Sequence, residues 1–172
     1  MTREPLDYHV ARTLLLVTAF STGTKGALDG LTKLAKLDFL LRYPAFLDRL
    51  LRARQLAWPA GLEPTLQERL AVESRMIRYK YGPWDDRYYP IVGILLGTRL
   101  TQPQPGRGSV ALRVTEQGRA AAARLEQDGW ETIAWRSRLL KRHFDRSGTA
   151  LRQMIYEELP DAIAYPSGSL IR

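Results

Sequence analysis

Residues 79–89 constrain the fold of this chain more than any other segment. They read Tyr-Lys-Tyr-Gly-Pro-Trp-Asp-Asp-Arg-Tyr-Tyr, so five aromatic side chains and a Gly-Pro turn stand directly before an apolar helix. Two short strands and a further helix are predicted after that helix. A turn, a helix and a hairpin in this order indicate a small helical domain whose sheet is limited to the hairpin.

Apolar residues recur at helical spacing along most of the chain. The predicted helices cover residues 9–20, 28–42, 45–54, 65–76, 85–96, 115–127, 130–146 and 150–159. Thr65 and Thr115 are predicted N-caps, with Glu68 as the capping-box partner of Thr65. Asp85 or Asp86 is the predicted N-cap of helix 85–96.

The same periodicity predicts which polar side chains face solvent. On helix 28–42, Lys33, Lys36 and Asp38 are expected to face outward, opposite a wide stripe of leucine and phenylalanine. On the helix that follows the turn Asp128-Gly129, the side chains expected to face outward are Arg136, Arg138, Lys141, Arg142 and Arg146.

Two strands over 98–102 and 110–114 flank a turn rich in proline and glycine, which predicts a β-hairpin. The fold class is therefore mainly α with a small β-hairpin, namely a winged helix-turn-helix with extra N- and C-terminal helices. Residues 1–127 are assigned to a winged-helix domain with an N-terminal helical extension, and residues 128–172 to a C-terminal helical extension.

The composition argues against an enzyme. The chain contains no cysteine, which excludes disulfides, thiolate catalysis and cysteine-based metal sites. His9 and His143 lie on separate predicted helices, and adjacent acidic residues on a helix point apart rather than toward one metal. The glycine-rich segment 105–109 lacks the Gly-Lys-Ser/Thr ending of a phosphate loop. We therefore expect no catalytic residue, no cofactor and no metal.

Hydropathy predicts a cytoplasmic protein. No segment approaches the roughly 20 apolar residues that a membrane helix needs. The apolar run 14–17 is too short, and too closely flanked by polar residues, for a signal peptide. We expect no membrane partner.

The net charge of +8 is concentrated in the middle of the chain. Residues 75–146 carry 14 basic and 7 acidic groups, whereas residues 1–74 carry 10 and 8. Such an excess of basic groups favours binding to a polyanion, most simply to the phosphates of double-stranded DNA. A sequence bias toward arginine and alanine would raise the arginine count as well. The predicted DNA-binding residues are Arg78, Lys80, Arg87, Arg107, Arg136 and Lys141.

Helix 85–96 occupies the position of a recognition helix in a winged helix, and Arg107 lies at the tip of the wing. The segment 91–96 is apolar except for Gly93, so it offers no side chain that reads bases. Sequence-specific readout is therefore not expected. Of the aromatic residues in the turn, most are expected to hold it against the core, while Trp84 and Tyr88 are predicted to contact a protein partner.

Three motifs then carry a resemblance over roughly residues 28–125. They are Lys-Leu-Ala-Lys-Leu-Asp-Phe at 33–39, Tyr-Lys-Tyr-Gly-Pro-Trp-Asp at 79–85 and Val-Thr-Glu-Gln-Gly at 114–118. Together they resemble the small winged-helix accessory subunits, or middle components, of bacterial ABC three-component defence systems. The Lamassu-type small subunit is the most similar type.

The resemblance implies a non-catalytic subunit within an antiphage complex. Such a subunit binds an SMC- or Rad50-like ATPase, contacts DNA and holds an effector subunit inactive until a trigger arrives. The alternative is a free-standing, homodimeric winged-helix transcriptional regulator that uses helix 130–146 for dimerisation. If the protein is a regulator, we expect it to bind a palindrome tightly. If it is a subunit, we expect its DNA binding to be salt-sensitive and indifferent to sequence.

Overall fold

The computed structural model describes residues 5–77, 87–105, 110–159 and 170–171. Its helices are α1 (Leu6–Phe20), α2 (Leu31–Arg42), α3 (Pro44–Ala53), α4 (Leu66–Arg75), α5 (Tyr88–Gly97), α6 (Glu116–Leu125), α7 (Glu131–Phe144) and α8 (Gly148–Glu158). Each of them falls within a few residues of a predicted helix. The mainly helical class is confirmed.

The strands are β1 (Leu28–Asp29), β2 (Met76–Ile77), β3 (Thr101–Pro103), β4 (Ala111–Val114) and β5 (Leu170–Ile171). Antiparallel pairing of β3 with β4 confirms the predicted hairpin, with Thr101 opposite Val114. β1 joins the other edge of β4, so the three-stranded sheet has the order β1-β4-β3. β2 and β5 form a separate antiparallel pair.

The start of the second predicted helix is wrong. Leu28 and Asp29 form β1, and the helix begins only at Leu31. Gly30 separates the two elements with φ of 107°, a conformation that glycine adopts readily. Its N–H donates to the Val110 carbonyl at 2.6 Å, which extends the pairing beside β4.

Both threonine caps are confirmed. Glu68 N–H donates to Thr65 Oγ1 at 3.1 Å, and Thr65 N–H donates to Glu68 Oε1 at 3.0 Å, which completes the capping box of α4. Gly118 N–H donates to Thr115 Oγ1 at 2.9 Å at the start of α6. A Cβ at Gly118 would lie 2.0 Å from the Leu100 carbonyl oxygen, so only glycine fits here.

The turn at Asp128-Gly129 is also confirmed. Gly129 has φ of 95° and Asp128 has φ of −103° with ψ of 33°, so the helical path between α6 and α7 is broken at these two residues. Gly129 supplies the positive φ without the steric strain that a Cβ would bring. α6 and α7 can therefore both pack against α1.

The core is built around α1 and α2. α1 packs against α5, α6, α7 and β4, and α2 packs against α3, α7 and α8. Residues before and after the α6–α7 turn share one hydrophobic cluster, whose fully buried members include Leu16, Phe20, Leu37, Leu40, Phe46, Leu140, Phe144, Leu151 and Ile155.

The predicted polar face of α2 is wrong. Lys33, Lys36 and Asp38 are only 5%, 3% and 1% exposed. Because α1, α3, α7 and α8 all pack against α2, these charges lie inside the protein and need partners there. Lys33 and Asp38 therefore connect α2 to other elements rather than face solvent.

Candidate nucleic-acid and partner surfaces

Part of the predicted site lies outside the described ranges. Those residues are Arg78, Lys80, Trp84 and Arg107, together with the predicted caps Asp85 and Asp86. Arg87, Tyr88, Arg136 and Lys141 are described. The first two stand at the start of α5, and the other two lie on α7.

Arg136 is buried, so its predicted outward position is wrong. Its side chain is 2% exposed and makes two hydrogen bonds to the Glu68 carboxylate, at 2.7 and 3.1 Å. It also donates to the backbone carbonyls of Leu62 at 3.0 Å and Glu63 at 3.1 Å, and its guanidinium lies 5.6 Å from the Trp58 ring centre. These contacts leave it unavailable to a DNA phosphate. It anchors α7 to α4 and to the segment before α4.

Tyr88 is also buried, at 2% exposure, so its predicted place on a partner surface is wrong. Its hydroxyl donates to Asp38, and the same carboxylate accepts from Arg12 Nε at 2.6 Å. His9 Nδ1 contacts the Arg12 guanidinium. This buried network joins α1, α2 and α5.

The network fixes the charge states of its members. Burial alone would raise the pKa of Asp38, but the Arg12 guanidinium outweighs burial and holds that pKa below its usual value. Burial, reinforced by the Asp38 carboxylate, raises the pKa of Tyr88 well above its usual value. Asp38 is therefore an anion and Tyr88 a neutral donor at neutral pH. α5 is held to the core by a charged hydrogen bond.

Lys141 takes part in a second ionic cluster. Its ammonium group pairs with Asp145, which also pairs with Lys33 at 2.6 Å. Lys33 in turn reaches Asp29 at 3.1 Å. Burial alone would raise the pKa of Asp145, but hydrogen bonds from the two lysines lower it. The Lys141 side chain is 29% exposed, so it remains partly accessible to solvent.

The outward face of α5 is almost without polar side chains. Tyr89 is 62% exposed, and Pro90, Gly93 and Gly97 are exposed with it. Apart from the backbone of α5 and the two neighbouring residues, no described atom lies within 4 Å of a Cβ built at Gly93. Arg87 is half-buried just before the helix and provides no side-chain cap. This face offers shape and apolar surface instead of the donors that read base edges.

Sequence reasoning missed two arginines that organise the loop between α1 and β1. Arg113 on β4 donates to the carbonyls of Gly23 and Gly26, the latter at 2.8 Å. Arg119 on α6 donates to the Ser21 carbonyl. Nothing in the local pattern marks them, because their acceptors lie about ninety residues earlier in the chain, at separations of 87 to 98.

A half-open groove of about 460 Å³ lies beside this loop, between α1, α6 and α7. Arg119 and Arg138 line it together with Glu126, and Ala19, Ala122 and Ala134 are among its small apolar residues. Arg138 pairs with Glu126 at 2.7 Å, with the two side chains 43% and 27% exposed. The groove combines apolar surface with cations that solvent can reach.

Over the described ranges no group of three or more histidine or acidic side chains could hold a metal ion. His9 is buried within α1, where it contacts Arg12, and His143 lies on α7. Within the same ranges, none of the helices has the length and hydropathy to cross a membrane.

Comparison with known proteins gives no significant similarity: no family model, curated protein or solved structure matches the chain.

Proposed function

We propose that this protein is a non-catalytic accessory subunit that binds an SMC- or Rad50-like ATPase and the DNA backbone within an antiphage complex. The arrangement of its elements supports the winged-helix part of this proposal. α5 leads directly into the β3–β4 hairpin, and β1, from between α1 and α2, completes the sheet on the far edge of β4. A recognition helix followed by a wing has this order.

The outward face of α5 is the observation that carries the proposal. Tyr89, Pro90, Gly93 and Gly97 form this face, and none of them has a charged or amide side chain. Base readout in the major groove depends on arginine, lysine, asparagine or glutamine. A helix in this position without them is suited to a protein surface. This favours the docking subunit over the free-standing homodimeric regulator, which would need base-reading side chains to select a palindrome.

Two of the resemblance motifs have a structural explanation. In the segment 33–39 the two lysines, the aspartate and Phe39 are all buried in α2. In the segment 114–118 Thr115 caps α6, and Gly118 avoids the Leu100 carbonyl. These motifs therefore support a shared fold and specify no chemistry. The function rests on the surfaces, in keeping with a subunit that docks.

Co-expression tests the protein partner. If a neighbouring gene encodes a long coiled-coil ATPase, the two chains should co-elute in size-exclusion chromatography. Gly93→Arg should abolish co-elution, because a long cationic side chain would project from the docking face. Gln153→Arg adds the same side chain to an exposed position of α8 and should co-elute normally. The absence of such an ATPase gene, or co-elution of the Gly93 variant, would contradict the proposal.

DNA retention tests the nucleic-acid partner. Lys80→Glu combined with Arg107→Glu should weaken binding to duplexes of any sequence, and binding of the unsubstituted protein should fall steeply with salt. Circular dichroism of the double variant checks the fold. Retention that stays constant over a salt series would rule out the phosphate contacts.

A further inference from the structure

The groove between α1, α6 and α7 is lined by small apolar residues together with two arginines. Its volume is about 460 Å³, and alanines from all three helices line it with Gly23. The size and apolar character suit a flat organic group attached to a charged one. Over the described residues, Arg119 and Arg138 are the basic residues among those that line it.

Both guanidiniums can bind a further anion. Arg119 donates a hydrogen bond to the Ser21 carbonyl, and Arg138 donates one to the Glu126 carboxylate. A guanidinium carries five N–H donors, so each retains donors that can face the groove. The Arg138–Glu126 pair is partly solvent-exposed and therefore weak, and a phosphate can compete with the carboxylate.

An exposed aromatic ring lies beside one of the two arginines of the groove. Trp135 is 48% exposed on α7. The Arg138 guanidinium lies 4.7 Å from its ring centre. One arginine therefore connects the groove with the indole. A phosphate site beside an exposed aromatic ring is the arrangement that binds single-stranded nucleic acid, because bases stack on the ring while cations hold the backbone.

We propose that the surface formed by Arg119, Arg138 and Trp135 binds single-stranded nucleic acid. A backbone phosphate lies between the two guanidiniums, and the neighbouring base stacks on the free face of Trp135. Glu126 opposes the phosphate and limits its affinity. The inference extends the proposed function, since it assigns one class of nucleic acid to a surface on α6 and α7, away from the α5 face.

Fluorescence anisotropy with a labelled oligothymidine of about 12 nucleotides tests this surface, with a duplex of equal length as the comparison. Trp135→Ala should weaken oligothymidine binding about tenfold, and duplex binding should change less than about twofold, because paired bases cannot stack on the indole. Arg119→Gln and Arg138→Gln should each reduce the slope of log affinity for oligothymidine against log salt concentration by about 0.7.

Glu126→Gln provides a test that misfolding cannot imitate. Loss of the carboxylate frees Arg138 and removes a negative charge from the groove, so oligothymidine should bind about threefold more tightly. Glu157→Gln is the matched control, because Glu157 is exposed on α8, outside the lining of the groove, and its loss raises the net charge by the same one unit. That control should change affinity less than about twofold.

The outcomes separate this inference from the proposed function. Unchanged oligothymidine affinity in Trp135→Ala, equal affinity for single strand and duplex, or weaker binding by Glu126→Gln would overturn the inference. Duplex binding that persists in those cases would leave the proposed function intact. If neither nucleic acid binds, both the inference and the DNA part of the proposed function fail, while the ATPase part stands on its own test.

Discussion

Replacing Arg136 with methionine should destabilise the protein strongly, although the original sequence pattern predicts a solvent-facing side chain. Methionine keeps much of the apolar stem but loses the guanidinium. The Glu68 carboxylate then loses two hydrogen bonds, and the carbonyls of Leu62 and Glu63 lose one each. Glu68 keeps its capping contacts with Thr65, so α4 should still form.

The size of the loss follows from these contacts. Removing one partner of a buried ion pair costs about 3–5 kcal/mol. Glu68 is 32% exposed, so water can solvate the abandoned carboxylate, which places the cost near the lower end. We expect a loss of about 3 kcal/mol, which for a chain of this size lowers Tm by about 10 °C.

Urea denaturation followed by circular dichroism measures this loss. The midpoint should fall while the m-value stays unchanged, which marks a change in stability and not in the denatured state. Arg138→Met is the control on the same helix. Arg138 is 43% exposed, whereas Arg136 is 2% exposed, so Arg138→Met should lose less than about 1 kcal/mol. A loss below about 1 kcal/mol in Arg136→Met would refute the reasoning that this cation is a buried anchor.

Three further predictions concern the buried charges of α2 and the glycine at the start of α6. Because the folded pKa of Asp38 is below its usual 3.8, its stabilising effect is complete above that pH and lost as pH falls further. Below that pH, the free energy of unfolding should therefore fall less steeply with decreasing pH in Asp38→Asn than in the unsubstituted protein. The same pH dependence in both proteins would contradict this. Burial, aided by Arg152, lowers the pKa of Lys36 from 10.5 to about 8, so the unfolded state binds more protons between those values. Stability should rise with pH over that interval and cease to do so in Lys36→Met, as urea titrations at several pH values would show. Gly118→Ala should lower stability by more than about 2 kcal/mol, because its Cβ would overlap the Leu100 carbonyl, whereas Ala120→Gly, at an exposed position of the same helix, should cost about 1 kcal/mol. Equal melting temperatures for these two variants would argue against the steric conflict.

Local signals in the sequence were sufficient for the described helices and for the β3–β4 hairpin, but they missed β1 and placed the start of α2 three residues too early. Helical periodicity located the helices, and the capping box at Thr65 and Glu68 was read from spacing alone. The hairpin followed from two short strands around a turn rich in proline and glycine. Each of these features depends on residues close together in the chain, which is why single-sequence reasoning reached them.

The burial of charge was not predictable in the same way. Arg12 reaches Asp38 across 26 residues, Arg136 reaches Glu68 across 68 and Lys33 reaches Asp145 across 112. Periodicity treats a lysine or arginine as a solvent-facing residue, but a distant carboxylate can hold it inside. The error was the same on α2 and α7.

Of the two candidate surfaces, the α5 face could be predicted in part from the sequence and the groove could not. The apolar character of the helix before the hairpin was visible in the sequence, and the structure adds which of its residues are exposed. The groove was not visible, because α1, α6 and α7 bring Thr18, Arg119 and Arg138 together from separate parts of the chain. Arg119 and Arg138 are ordinary surface arginines in the linear pattern, and only tertiary packing distinguishes them.

Photo-crosslinking from the outward face of α5 tests the central claim most directly. A photoreactive amino acid at position 93 would be activated in the assembled complex of this chain, its ATPase partner and duplex DNA, with position 153 on α8 as the control. If α5 docks against protein, position 93 should form an adduct with the ATPase and position 153 should not. An adduct between position 93 and DNA, with none to the ATPase, would show that α5 enters the duplex and would contradict the account.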